Sequence, residues 1–284
     1  MMSIKKIGII GSGTMGNGIA HVSALHGFQT VLLDLNQTIL NVAFNKITNN
    51  LNRQLEKGAI KRVELERALT RVRLSTEYHD LHDCDVLIEA ASEDKITKKK
   101  IFKSMDEFSK FDAILASNTS SISITELADV TKKPHKVIGM HFMNPVPIMQ
   151  LVEVIKGEKT DRESLDLIKK LSIKLNKQPI ECNDSPGFIS NRILMPMINE
   201  AVYCLMEGVG SEKAIDEIMH LGMAHPLGPL ALADLIGLDI CHDILEVLSK
   251  DLNDKKYMPC PLLTNMVKNG ELGKKTGKGF YNYN

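Results

Sequence analysis

Ile4-Lys5-Lys6-Ile7-Gly8-Ile9-Ile10-Gly11-Ser12-Gly13-Thr14-Met15-Gly16 is the stretch whose reading decides the fold. An apolar, β-branched run ends in glycines spaced G-x-G-x-x-G, and a helix-like stretch, Thr14–Leu25, follows at once. Each glycine answers a separate steric need. Gly11 permits a tight turn, Gly13 lets the backbone approach a pyrophosphate, and Gly16 lets helix and strand pack closely. The unpaired N–H groups and dipole at such a helix start favour an anion. A glycine triplet alone is weak evidence; its position between strand and helix is what strengthens it.

Outward from this turn the first half alternates. Apolar runs at Thr30–Leu33, Val86–Ile88, Ala113–Leu115 and Val137–Met140 are separated by helix-like stretches at Ile39–Glu56, Lys95–Phe108 and Ile124–Val130. Ser123, with Glu126 three residues on, predicts a capping box. Strands apolar throughout and alternating with helices predict an α/β, Rossmann-type, doubly wound, mainly parallel sheet. Asp34 closes the second run, where an acid grips a ribose 2′-OH and repels a 2′-phosphate, so NAD is expected over NADP.

Ile39 to Leu69 is too long for one crossover helix. Gly58 breaks it, which predicts a helix–turn–helix excursion rich in Lys, Arg and Asn, standing off the sheet. Met149–Ile155 and Gln178–Glu181 read as further strands, with Ser164–Leu175 helical between them. The character changes at Asp184-Ser185-Pro186-Gly187, where Asp184 or Ser185 can cap a helix with Pro186 at its first position. Beyond it, Phe188–Met206, Ser211–Met219, Leu230–Leu248 and Leu262–Lys268 read as helices. Two domains are expected: 1–184, binding the dinucleotide, and 185–284, a smaller all-α domain.

Composition excludes several classes. Lys plus Arg and Asp plus Glu are equal at 35 each, so no global field favours nucleic acid or an anionic membrane. Trp is absent and aromatics make up 5%, which argues against base-stacking platforms. No apolar run reaches membrane-spanning length. The strand-like Ile4–Ile10 leaves no room for a secretory signal. Five scattered cysteines without C-x-x-C read as reduced thiols in a cytoplasmic protein. His220 and His225 are off the helical spacing of a zinc pair and read as loop residues, so no metal is expected.

His141, in His141-Phe142-Met143-Asn144-Pro145-Val146-Pro147, ends an apolar run and opens a loop stiffened by two prolines. Beside a nicotinamide, an imidazole is suited to take an alcohol proton as hydride leaves carbon, and to return it in reverse. Glu153, inside Leu151-Val152-Glu153-Val154-Ile155, is the candidate to orient it. A tight hairpin at Asn144–Pro145 would set Glu153 opposite Lys136, so pairing with His141 requires a wide loop; the alternative is an edge-strand glutamate facing water. Glu93 lies after a strand end and either approaches the nicotinamide ribose or caps the next helix. Ser117-Asn118-Thr119-Ser120-Ser121 offers hydroxyls to a substrate or simply builds a turn. Asn191, amid apolar residues, wants a partner in protein or substrate.

Six ordered motifs, S-N-T-S-S, H-F-M-N-P, L-V-E-V-I, P-G-F-I-S-N-R, H-P-L-G-P-L and G-K-G-F-Y, span essentially the whole chain. In them the sequence resembles the short-chain 3-hydroxyacyl-CoA dehydrogenases, most of all those acting on 3-hydroxybutyryl-CoA. The resemblance implies His141 as general base and acid with Glu153 as its orienting partner, Ser120 and Asn191 on substrate oxygens, and Asn144 in the polar network. It implies NAD held by Gly11, Gly13, Thr14, Met15, Gly16, Asp34, Glu93 and Asn118. Acyl-CoA would lie between the domains and across the excursion, where Lys57 matches a basic position contacting CoA. Asn50 stands where some members carry a substrate-contacting serine, Ala231 where an acid is common, and Met143 where Phe is common. A homodimer through the helical domain is also implied. Two other readings stay open: a related dehydrogenase of free hydroxy or sugar acids, and a non-catalytic NAD-binding sensor.

Overall fold

A computed structural model describes residues 4–283, so the extreme residues of the two expected domain ranges, 1–3 and 284, lie outside the described residues. The chain divides into two units, Met1–Asp184 and Ser185–Asn284. The first runs β1 (Lys6–Ile10), α1 (Thr14–Leu25), β2 (Gln29–Leu33), α2 (Gln37–Glu56), α3 (Arg62–Arg71), β3 (Val72–Ser75), β4 (Val86–Glu89), α4 (Lys95–Phe108), β5 (Ile114–Ser117), α5 (Ile124–Ala128), β6 (Val137–Phe142), β7 (Leu151–Lys156), α6 (Arg162–Lys174) and β8 (Gln178–Asn183). Its eight strands lie in the order β3-β2-β1-β4-β5-β6-β7-β8. Neighbours are parallel except β6 and β7, which run antiparallel.

The central strands are buried along almost their whole length, which is why they read as continuous apolar runs rather than alternating ones. Helices cover them with apolar stripes. Lys98, Phe102 and Met105 are the buried side of α4, an i, i+4, i+7 row. Each fully buried Leu, Ile or Phe in this core contributes roughly 1.5–3 kcal/mol. Strand order reverses between β1 and β4, so the carboxyl ends of β1, β4, β5 and β6 open onto one crevice edge.

Several expectations need correction. The excursion does not stand off the domain: Leu40, Ala43, Ile47 and Leu51 of α2 and Leu65 and Ala68 of α3 join the same core as Ile19 and Val22 of α1. Asn17 Nδ2 donates to Ala43 O at 2.6 Å, and Arg71 to Ala24 O at 3.1 Å. Edge strand β3 had no strand signature, because it follows α3 without a breaker and carries Arg73. Ser123 does cap α5, accepting from Glu126 N at 3.2 Å, but the Glu126 carboxylate turns to Lys95 and Lys99. Asp184 caps no following helix; its Oδ2 accepts from Ser123 Oγ and Thr125 N.

The second unit contains α7 (Ser190–Met206), α8 (Glu212–Met223), α9 (Pro229–Ile236), α10 (Leu238–Asp251) and α11 (Pro261–Lys268) around Met195, Ile198, Val202, Leu230, Cys241, Leu245 and Leu263. Its first helix starts later than expected because Gly187 and Phe188 hold positive φ in the turn before it. The single helix expected over Leu230–Leu248 is two, parted at Gly237, whose φ of 109° no helix accommodates. His220 lies within α8, not in a loop.

Two buried aspartates organise this unit. Asp216 accepts from Leu230 N and Ala231 N at the start of α9 and from Tyr281 Oη at 2.8 Å. Asp234 accepts from Phe280 N, Tyr281 N and Tyr283 Oη at 2.9–3.0 Å. A Cβ at Gly279 would sit 1.9 Å from Asp234 Oδ1, so the G-K-G-F-Y motif is a strap cut to fit this carboxylate.

On α1, His21 is fully buried; its Nε2 lies 3.2 Å from Gln54 Nε2, and its Nδ1 has no partner among the described residues. Burial is the main reason its pKa falls from 6.5 to about 4, against a hydrogen bond with Gln54, with His26 and Lys177 adding to the fall. The folded state therefore binds fewer protons than the unfolded chain between these values. Stability is fully present above pH 6.5 and is lost as pH falls toward 4, by about 3 kcal/mol at most. Urea unfolding across this range should show a flatter acid limb for His21→Leu; an unchanged slope would remove His21 as its source.

Candidate active site

The glycine turn is shaped as its spacing demands. Gly11 has φ 96°, and a Cβ there would meet the Ala90 and Ala91 backbone within 2.8 Å; one on Gly16 would lie 1.8 Å from Gly11 O. A Cβ on Gly13 would meet nothing within 4 Å, and Gly13 begins α1 without a side-chain cap. Thr14 is exposed and Met15 half-buried on this first turn. Asp34, at the end of β2, reaches across the turn: its Oδ2 accepts from Ser12 N and Ser12 Oγ, both at 2.6 Å, and its Oδ1 from Leu35 N. Ser12 was no candidate from the sequence, since a serine inside a glycine turn carries no signal of its own.

Beyond β4 and β5 lies a polar network founded on a buried ion pair. Lys98 Nζ donates to Glu89 Oε1 at 2.7 Å and Oε2 at 2.9 Å, with both side chains within 1% of full burial. Glu89 also accepts from Ala91 N and from Ser117 Oγ, each at 2.7 Å. Lys98 reaches Glu93 Oε2 at 3.3 Å. Glu93 Oε1 accepts from Thr119 Oγ1 at 2.5 Å, Ser120 N at 2.8 Å, and Ser120 Oγ, Ser121 N and Ser121 Oγ at 3.1 Å. Lost hydration pushes the Glu93 carboxyl up, but Lys98 and the bonds from Thr119 and Ser120 outweigh it and hold it below its ordinary range. Asp94, not Glu93, caps α4. The hydroxyl cluster is thus largely a braced turn, with Ser120 half-buried upon it.

His141 and Glu153 face each other across the antiparallel pair β6–β7, and His141 Nδ1 lies 2.8 Å from Glu153 Oε2. Both are buried, at 8% and 3% exposure, and β7 is flanked by β8, so Glu153 is no edge residue facing water. The connection is wide, as this pairing requires: 143–150 contains a cis Asn144–Pro145 bond and a turn in which Ile148 N and Met149 N donate to Pro145 O. Asn144 is exposed on this loop. Asn118 Oδ1 accepts from Phe142 N at 2.9 Å, tying the end of β6 to the end of β5.

The strand ends therefore bring the glycine turn, Asp34, Glu93, Asn118, Ser120, His141 and Glu153 to the same edge of one sheet. Lys57 lies exposed at the C-cap of α2, and Asn50 half-buried on the same helix. Asn191 is buried on α7 in the second unit. Sequence reasoning missed Lys98, hidden inside the run Lys98-Lys99-Lys100 that reads as a solvated face. Its i, i+4 spacing to Phe102 was the available signal.

Residues 6–185 match the family model of the 3-hydroxyacyl-CoA dehydrogenase NAD binding domain, and residues 187–283 that of the 3-hydroxyacyl-CoA dehydrogenase C-terminal domain. The chain is 51% identical over 280 residues to 3-hydroxybutyryl-CoA dehydrogenase of Bradyrhizobium diazoefficiens, covering 99% of this chain and 96% of that one. It is 49% identical over 279 residues to the enzyme of that name from Clostridioides difficile, covering 98% and 99%. The crystal structure of (S)-3-hydroxybutyryl-CoA dehydrogenase from Ralstonia eutropha superposes with a TM-score of 0.97 at 47% identity, over 99% of this chain and all of that one.

Removing one partner of the Glu89–Lys98 pair would strand a fully buried charge. Lys98→Met should cost about 3–5 kcal/mol, measured by chemical denaturation, and adding Glu89→Gln should restore much of it. A single variant as stable as the parent would show that the pair is not what holds this network.

Proposed function

The chain belongs to the 3-hydroxyacyl-CoA dehydrogenase family, and on that premise we propose that it interconverts (S)-3-hydroxybutyryl-CoA and acetoacetyl-CoA with His141 as the acid–base group. It is an NAD-dependent dehydrogenase of 3-hydroxyacyl-CoA thioesters. The observation that carries the residue-level reading is the buried 2.8 Å contact between His141 Nδ1 and Glu153 Oε2.

With Nδ1 engaged by the carboxylate, the proton moves at His141 Nε2. In oxidation, Nε2 takes the proton of the C3 hydroxyl as hydride leaves C3, and the C–O bond becomes a carbonyl. Glu153 fixes the ring orientation and offsets the imidazolium charge in a site with little water to do so. In reduction the imidazolium returns the proton to the nascent alkoxide. Ser120 and Asn191 are proposed to hold substrate oxygens, the role of Asn191 resting on the family pattern alone. Asn144 is proposed as part of the polar network around the pair.

When bound, NAD supplies the hydride acceptor. The chain's groups fit such a cofactor: an uncapped helix start at Gly13, a turn with no room for side chains at Gly11 and Gly16, and the accepting Asp34 carboxylate across it. Thr14 and Met15 flank the pyrophosphate turn, while Glu93 and Asn118 belong to the nicotinamide end in this reading. Lys57 and Asn50 are proposed contacts of the CoA portion.

A homodimer through the helical unit is part of the same proposal. Ile218 and Leu221 stand 64% and 79% exposed three residues apart on α8, an apolar face that a second copy would cover. A cytoplasmic location is proposed too, in keeping with five scattered cysteines that form no C-x-x-C motif. Cell fractionation checks it.

The first test follows nicotinamide absorbance with acetoacetyl-CoA or free acetoacetate, and NADH or NADPH. Rapid NADH oxidation requiring the thioester is expected. His141→Gln should lower kcat by on the order of 10³-fold or more with NADH affinity near normal, and Asp34→Ala should erode the preference for NADH. Near-full turnover by His141→Gln would remove it as the base. NADH binding without thioester turnover would favour a sensor.

Sedimentation should give twice the chain mass, and the charged pair Ile218→Glu with Leu221→Glu should halve it. A parent protein that sediments as a monomer would end the dimer proposal.

A further inference from the structure

Lys177 stands one residue before β8 and is buried, at 6% exposure. Its Nζ donates to the main-chain oxygen of Val146 at 2.5 Å and to that of Met149 at 2.8 Å. Both carbonyls belong to 143–150, the connection that leaves the strand of His141 and returns as the strand of Glu153. Burial draws the Lys177 ammonium below the ordinary lysine range. The cost of desolvating a long cationic side chain is met here by two carbonyls that the wide turn would otherwise leave poorly satisfied.

The same turn is gripped from two further directions. Val146 is 2% exposed and packs on Gly18 of α1, where a Cβ would lie 2.8 Å from Val146 Cβ. Gln178 N donates to Gln150 O at 2.8 Å, joining the start of β8 to the end of the turn. An eight-residue connection has many paths, and a one-residue slip in the following strand would turn Glu153 to the opposite face from His141. The turn must therefore be held to one path, and its own sequence supplies only part of the restraint.

We propose that Lys177 is a positioning residue for proton transfer: by clamping the Val146 and Met149 carbonyls, it fixes the β6–β7 turn and with it the seating of Glu153 on His141 and the position of Asn144. The inference rests on the reading of His141 as the acid–base group. The Lys177 ammonium bonds to these two carbonyls and not to a residue proposed to hold substrate or NAD, so its effect belongs in kcat rather than in binding.

The test uses the full chain with Lys177→Met, Lys177→Arg and Gly18→Ala, beside the parent and His141→Gln. Turnover of acetoacetyl-CoA, its KM and the Kd of NADH are measured on protein shown folded by circular dichroism. Lys177→Met should lose about tenfold in kcat with KM and NADH affinity within about twofold, and Lys177→Arg should recover part of the loss. Gly18→Ala, which presses on Val146 from the other side, should give the same split and carries the test if Lys177→Met does not fold. A folded Lys177→Met with parental kcat, or one in which kcat, KM and NADH affinity worsen together, overturns the proposal. Failure of the parent reading looks different: it shows as an inactive parent or an active His141→Gln.

Discussion

Glu153 is a carboxylate in the interior of a sheet, with Val152, Val154 and Ile155 beside it and strands on both sides. A charge so deprived of water is costly unless something opposite compensates it. His141 does so, directly across the strand pair. Much of the first unit follows from this requirement. The sheet must reverse direction once, between β6 and β7, although every other pairing is parallel. Strand β8 must cover the far side of β7, and the turn must be wide enough to put the two residues in register. The group that is costly to bury is thereby the group that orients the imidazole.

A second buried charge pair plays a different part. Glu89 and Lys98 lie beneath the ends of β4 and β5, and neither reaches solvent. Through Ser117 and Glu93 their charges reach the turn that presents Ser120. Fully connected networks of this kind rigidify, while partly connected ones destabilise. The hydroxyl turn is thus pinned from below by charge-assisted bonds, which suits a surface that must offer donors in fixed directions.

How much of this was legible depended on whether a residue's role left a local trace. The glycine turn, Asp34 and the central strands show in the sequence because sterics and burial impose residue types at fixed spacing. The wide turn was legible only as a condition: a tight one could not have brought Glu153 to His141, and the residues alone left open whether the two pair. Lys98 escaped because its charge matches its exposed neighbours and only its helical phase sets it apart. Lys177 and Ser12 escaped because their partners are main-chain atoms or lie far along the chain. The α9–α10 break and edge strand β3 were missed for a related reason: one depends on a single glycine dihedral, the other on a neighbour that pairs with it.

The strap formed by residues 279–283 bears on how the protein is made. Asp216 and Asp234 are buried carboxylates whose donors include Phe280, Tyr281 and Tyr283. Until those residues have left the ribosome, two negative charges in the helical unit lack part of their hydrogen bonding. The helical unit therefore reaches its final packing only when this strap is laid over the carboxylates of α8 and α9.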